Sequence, residues 1–478
     1  MGVWYSVFVR SFADGNKDGI GDLKGLIRKM DYFSELGIEG LWLLPIFPSP
    51  SYHKYDITNY NSIDPEYGTM AEFNLLIQNA HDRGIKIILD LVLNHTSDQH
   101  HYFKAAMQSK RNPYRKWYVW KNAKEIPIVE IPSWHVPKEG PQDEFYYGLF
   151  WRGMPDLNYD NLAVRKAAKD IATFWLNLGV DGFRLDAAMH IFPSGKEDAN
   201  YKWWQEFRSH VSTLNPDAIV VSEIAESCGY IAPYLYKGVT SAFNFELSEH
   251  ITQAVLNGQH DCLPVWLKGV RDLYKGVEPQ SKDSIFLSNH DQERIASRLN
   301  GDSRKIKLAA AILLTLPGIP FIYYGEEIGM LGNKPDENIR EPFLWKNEKD
   351  NDRTRWIKPI FSTDATVDPL DEQREDPSSI YHLYKNLIHI RNTNKILELG
   401  EISTVQCEEN EVLIFSISYQ INTFLILHNL INESVILKND DDPKHSFQLI
   451  YESHPDCEAN EYDFKLAPFS SMILSILP

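Results

Sequence analysis

Short apolar runs alternate along the chain with stretches whose apolar residues recur every third or fourth position. The first run, residues 3–10, predicts a strand. Residues 23–36 follow with Leu26, Ile27, Met30 and Phe33 at helical spacing, and Gly37 stops that helix. The pattern repeats with a strand at 38–47, a helix at 70–83 closed by Gly84, and a strand at 85–93. The third strand is apolar almost throughout, as a strand covered on both faces should be. After a break, a helix at 162–178 leads through Gly179 to a strand ending near Asp186. Further strands are predicted at 218–224, 241–247, 284–288 and 319–324, with helices at 199–214, 251–274, 304–314 and 378–391. Eight strands, most followed by a helix, predict an α/β fold, the (β/α)₈ or TIM barrel.

Two regions depart from this rhythm. Residues 96–160 are polar, aromatic and dotted with proline, and carry Trp117, Trp120, Trp134 and Trp151. A structureless loop of that length does not suit a compact domain, so a small inserted domain is predicted after the third strand. Beyond residue 395 the apolar residues alternate in short runs at 413–417, 423–427, 435–437, 446–451 and 471–477, the pattern of an antiparallel β-sandwich. The expected division is a barrel over 1–95 and 161–394, an insert over 96–160 and a sandwich over 395–478.

Composition changes the picture only at the edges. Of 478 residues, 43% are hydrophobic and 24% charged, as in an ordinary globular protein. The net charge of −18 argues against nucleic acid or an anionic membrane surface as partner, and suits a neutral substrate. No apolar run reaches the roughly 18 residues of a membrane span. Cys228, Cys262, Cys407 and Cys457 are too few for a disulfide scaffold; Cys407 and Cys457 are candidates to pair, but free thiols are expected. Met1 and Gly2 lead straight into the first strand, so the protein is expected to be secreted or periplasmic if a signal peptide has been removed, and cytoplasmic otherwise. A monomer is expected.

Candidate chemistry gathers where the barrel strands end. Residues two apart in a strand share a face, so Arg184 and Asp186 point the same way, and the guanidinium favours an ionised carboxylate. The third strand runs out through Asp90 to Asn94 and His95, the fifth ends at Glu223, and the seventh at Asn289, His290 and Asp291. Active residues of a (β/α)₈ barrel lie at the C-terminal ends of its strands. Three carboxylates and three histidines there, His190 included, form a constellation that a purely structural role does not explain.

These segments resemble the α-amylase superfamily of retaining glycoside hydrolases. The matching motifs are Asp90-x-x-x-Asn94-His95, Gly182-x-Arg184-x-Asp186-x-x-x-His190, Glu223 and Asn289-His290-Asp291, with outlying likeness at 37–45 and 318–325. The resemblance implies Asp186 as nucleophile, Glu223 as general acid and then base, and Asp291 as the third carboxylate. It also implies Tyr55 as an aromatic platform with Asp56 beside it, Arg184 orienting Asp186, and His95, His190 and His290 facing sugar hydroxyls. The substrate implied is an α-1,4-glucan or maltooligosaccharide. Ala187, small and next to the nucleophile, and His190 favour that linkage, whereas Met189 stands where many α-amylases have lysine. An exo-acting α-glucosidase, an oligo-1,6-glucosidase, or a pullulan- or cyclodextrin-degrading enzyme are alternatives, as is trehalose synthase-like isomerisation; a non-catalytic transporter-associated relative is a more distant one. Residues 154–158 resemble the subgroup between oligo-1,6-glucosidases and neopullulanases.

A second site is written near the start. Asp14, Asn16, Asp18 and Asp22 place side-chain oxygens at alternate positions around Gly19, the pattern of a loop that wraps a hard cation such as Ca²⁺. It resembles the calcium loop of oligo-1,6-glucosidase-like proteins, which implies the Ile20 carbonyl as a further ligand. The same family's other calcium site implies Asn94 and Asp156.

Overall fold

The computed structural model describes residues 2–138, 143–347, 350–406, 410–438, 446–460 and 463–477. Eight parallel strands close into a barrel: β1 Trp4–Val7, β2 Gly40–Leu43, β3 Lys86–Leu91, β4 Gly182–Leu185, β5 Ile219–Ser222, β6 Ser241–Phe243, β7 Lys282–Phe286 and β8 Ile319–Tyr323. They pair in sequence order and β8 returns to β1, with Trp4 opposite Phe321. Aromatic rings from β1, β2, β6 and β8 fill the interior. Trp4 stacks on Phe321 at 5.8 Å, Trp42 meets Phe243 at 5.3 Å, and Phe243 meets Phe321 at 4.9 Å. The filling is tight enough to dictate Gly40, where a Cβ would stand 2.5 Å from the Trp4 ring.

Local chemistry moved several predicted boundaries. The helix expected over 23–36 is two, Leu23–Arg28 and Met30–Leu36. The chain breaks at Lys29, whose ammonium is held 2.6 Å from Asp352 and over the Trp345 ring at 4.0 Å. The sixth strand ends at Phe243 because the Asn244 side chain accepts the Leu247 N–H at 2.8 Å and caps a helix, Phe245–Asn257. Gly258, at φ 70°, closes that helix, and Pro264 opens the next, Leu263–Val277, so the helix expected over 251–274 is also two.

Between β3 and the helix Leu162–Asn177, the chain builds a three-stranded sheet from Trp120–Asn122, Trp134–His135 and Glu144–Tyr147. Trp134 and Tyr146 are buried in it, whereas Trp151 is half-exposed. The C-terminal region forms two antiparallel sheets. One has five strands: Glu401–Gln406, Val412–Tyr419, Asn422–Asn429, Ser471–Leu477 and Ser446–Glu452; the other has Val435–Lys438, Asp463–Leu466 and Glu458–Ala459. They enclose a separate core containing Leu427, Phe464, Leu466 and Leu474. His428 joins the sheet to the barrel, with one ring nitrogen 3.0 Å from Thr315 on helix Ser303–Thr315 and the other 2.7 Å from Ser471. Cys228 and Cys457 are buried free thiols, which excludes a bridge between Cys457 and Cys407. Cys262 is disulfide-bonded rather than free, and Cys407 lies outside the described residues.

Candidate active site

The site assembles at the C-terminal mouth around one buried side chain, Arg184 on β4. In the sheet, Arg184 is level with Asp90 of β3 and Val221 of β5, which aims its guanidinium across the barrel. Nη1 donates to Asp90 and Asp186, each at 2.7 Å, and Nη2 makes an ion pair with Glu223 at 2.8 Å. One planar fork therefore fixes the spacing of two carboxylates from adjacent strands. The nucleophile candidate takes a directed hydrogen bond from it. Glu223 additionally accepts the Ala187 N–H at 3.1 Å, which requires Ala187 to turn into the left-handed region at φ 46°.

Ionisation is shaped by burial first. Burial pushes the Asp186 carboxyl up, and Arg184 pulls it back toward the ionised form. Glu223 is raised by burial, with Asp186 and Asp291 adding to the rise against Arg184. Asp90 reaches about 7, again by burial. Asp291 behaves differently. Burial opposes its ionisation, but His290, 3.0 Å away, and Arg340, donating at 2.8 Å, hold its carboxyl well below the usual range. His290 is fully buried and burial keeps it neutral, so Arg340 supplies the compensating charge.

Most predicted site residues meet here. Tyr55 donates its hydroxyl to Asp90 at 3.0 Å, and the same oxygen lies 2.5 Å from His290 Nε2. The two rings are nearly coplanar in orientation, 7° apart. Two predicted residues sit further back. His95 is buried, kept neutral near 4 by burial, and its Nε2 donates to the Tyr55 carbonyl at 3.2 Å. Asp56 is 3% exposed and accepts from Ser49 at 2.6 Å and from Ser51, so it braces the loop carrying Tyr55. His190 stands at the edge, half-buried after the turn Ala188–His190. Phe150, 50% exposed, sets its ring between His95 at 5.3 Å and His190 at 6.1 Å.

Sequence reasoning missed Arg340, Phe150 and the role of Asp90. Arg340 follows the short helix Asp336–Ile339 in a region without periodicity. Its neighbour Glu341 accepts from the backbone of Ile360, Phe361 and Ser362 at 2.6–3.3 Å and fixes the segment behind it. Asp90 could have been found from register, since it lies opposite Arg184.

The family model for the α-amylase catalytic domain matches residues 6–400. The chain belongs to the α-amylase family. Among the family's members it is 44% identical, over 99% of its length and 93% of the other, to alpha-amylase 3 of Dictyoglomus thermophilum. It is 34% identical to the 4-alpha-glucanotransferase of Thermotoga maritima, over 91% of this chain and 97% of that one. The crystal structure of an α-amylase from H. orenii superposes with a TM-score of 0.92 at 38% identity, covering 100% of this chain and 99% of that one.

The candidate cation loop follows β1, between the helices Val9–Phe12 and Leu23–Arg28. Asp14 accepts backbone N–H groups from Lys17 at 2.6 Å and Gly19 at 2.8 Å, Asp18 accepts from Ile20 at 2.8 Å, and Asp22 caps the helix Leu23–Arg28. Among the described residues, no three His, Cys, Asp or Glu side chains converge closely enough to form a metal cluster. The donor chemistry nevertheless fits a hard cation, being all oxygen. Burial raises the Asp22 carboxyl, and so does repulsion from Asp14 and Asp18, so three acids share the loop's field. Asn94 and Asp156 are also brought together: burial drives Asp156 to about 8 while an Asn94 hydrogen bond opposes it, and Asn94 Oδ1 is buried without a partner.

Proposed function

We propose that the protein is a retaining α-glucan hydrolase that cleaves α-1,4-glucosidic bonds of starch-type polymers and maltooligosaccharides. The observation that carries this reading is the single guanidinium fork spanning Asp186 and Glu223 at the barrel mouth. A retaining glycosidase needs two carboxyl groups roughly 5–5.5 Å apart, one ionised and one protonated. Asp186 would attack the anomeric carbon as Glu223 protonates the departing glycosidic oxygen. The covalent glycosyl–enzyme would then be opened by water, with Glu223 taking the water's proton. Asp291, fixed in the ionised state by Arg340, is suited to stabilise the positive charge that develops on the ring. Tyr55 and His290 offer polar groups on the same wall, and His95 and Asp56 support that wall from behind.

Ala187 leaves room next to the nucleophile, which favours the α-1,4 linkage over α-1,6. A β-branched residue at its left-handed φ of 46° would be strained. Transfer of the glycosyl group to a second sugar is the alternative reading, supported by Phe150, which is 50% exposed beside His95 and His190 and offers a face to an acceptor. A time course on amylose, pullulan, isomaltose and maltotriose tests the proposal. Long oligosaccharides appearing early from amylose support hydrolysis within chains, glucose alone opposes it, and products longer than maltotriose from maltotriose favour transfer. Normal turnover by Asp186→Asn or Glu223→Gln would defeat the assignment.

We also propose that Asp14, Asn16, Asp18, Asp22 and the Ile20 carbonyl hold Ca²⁺ as a structural ion. Its support is the all-oxygen donor set and the shared negative field. Titration calorimetry tests it: heat from one Ca²⁺ per chain, lost in Asp18→Ala, is the expected result, and unchanged binding in that variant contradicts it.

A further inference from the structure

We propose that the face of the barrel opposite the catalytic carboxylates holds a binding site for a small phosphate ester. A cavity of about 690 Å³ opens there, lined by Ala218, Thr240, Lys282 and Gly318 at or just before the starts of β5 to β8. This volume is typical of small-molecule sites. Its outer wall includes Arg208 of the helix Glu197–Leu214, Arg271 of the helix Leu263–Val277, and Glu401, where the C-terminal sheet begins.

The cavity is crowded with cations. Two are matched: Lys282 lies 3.3 Å from Glu398, and Lys275 pairs with Glu401. Arg208, Lys237 and Arg271 line the same space and form no ion pair within 4 Å among the described residues, although Asp217 and Glu278 share the wall. Arg208 donates to the Ala218 carbonyl at 2.7 Å, and Arg271 reaches the Gly400 carbonyl at 3.5 Å while its Nε is buried without a partner. Burial lowers the pKa of both arginines, and it lowers Lys275 as well, helped by repulsion from Arg271.

Asp283 and Asp272 offset part of the cost of burying Arg271, but its Nε is left without a partner, and an anion in the cavity would supply one. In a chain of net charge −18, the lining has a small excess of basic over acidic side chains. Guanidiniums recognise oxyanions through paired N–H bonds, and three cations around one space match the three terminal oxygens of a phosphate monoester. Leu235, Val239 and Leu399 supply apolar wall for its organic part. None of these residues belongs to the catalytic mouth.

Titration calorimetry on the full chain, with inorganic phosphate, pyrophosphate and glucose 1-phosphate at fixed ionic strength, tests the proposal. One site is expected for phosphoryl ligands, weakened about tenfold by Lys237→Ala through loss of one charge-assisted contact. Lys237 is exposed, so this variant should fold, and its turnover of maltooligosaccharides should stay at the parent level. Arg271→Gln combined with Lys237→Ala should abolish binding. Absence of binding by all three ligands, or equal binding by the parent and Lys237→Ala, overturns the proposal. Binding of inorganic phosphate and pyrophosphate but not of glucose 1-phosphate also overturns it, because the site would then exclude an ester.

Discussion

Replacing Arg184 with methionine removes the charge that three buried carboxylates share. Arg184 is 1% exposed and lies under the faces of Trp42 at 5.1 Å and Tyr55 at 5.9 Å, so the thioether keeps much of the packing. The electrostatic loss is not recovered. Removing one partner of a buried charged network costs about 3–5 kcal/mol. Burial already raises the Asp186 carboxyl and Arg184 opposes that rise, so loss of the guanidinium should raise it further. The proposed nucleophile must be ionised, so the acid limb of kcat/KM against pH should move upward. Stability should follow the same logic. Without the guanidinium, the folded-state pKa values of Asp90, Asp186 and Glu223 rise further above their unfolded values. The resulting penalty is absent at pH values below the unfolded pKa and grows as pH rises toward the folded one. Denaturant unfolding at pH 4 and pH 8, with kcat/KM profiles on maltoheptaose, measures both effects. Arg184→Lys, which keeps the charge without the fork, should restore part of each. An acid limb that stays where it is in the parent, or an equal loss of stability at both pH values, would refute the reasoning.

Three further outcomes follow from other parts of the structure. Phe150→Ala should raise KM for maltooligosaccharides about tenfold with little change in kcat, because the ring offers contact area without touching Asp186 or Glu223; an unchanged KM would remove Phe150 from the cleft. His428 is held near 3 by burial, below its unfolded value, so stability present above pH 6.5 is lost as pH falls. That loss should be about 2 kcal/mol at pH 5, and a pH-dependence unaltered in His428→Gln would contradict it. Glu326, buried beside Ser288 and Tyr384, is raised to about 8, so it costs stability as pH rises from its unfolded value toward 8. Glu326→Gln should therefore stabilise the protein on the order of 3 kcal/mol at pH 7 and hardly at all at pH 4, whereas a gain independent of pH would contradict the assignment.

The barrel was legible because each of its strands is a short apolar run with polar residues at its end, a signal that depends on neighbours in sequence. The motif residues Arg184, Asp186, Glu223, His290 and Asp291 were legible for the same reason, and the structure brings them into one chain of contacts. What escaped depends on partners distant in sequence. Lys29 breaks a helix because of Asp352 and Trp345, and Arg340 acquires its place only when the region after β8 folds over the mouth. The split at Gly258 and Pro264 was written locally, but the apolar spacing on either side continued through it. His95 was expected to face sugar hydroxyls and Asp56 to lie beside Tyr55, but their hydrogen bonds run to the Tyr55 carbonyl and to Ser49, contacts set by side-chain direction.

The most direct test of the central claim is to trap the intermediate. Glu223→Gln should still form the glycosyl–enzyme from a fluoride-activated maltosyl donor, whose leaving group needs no acid, but should open it slowly. Peptide mass mapping after acid quench is then expected to find the added maltosyl group on the peptide containing Asp186. Rapid turnover by this variant without any label, or a label on another residue, would contradict the account.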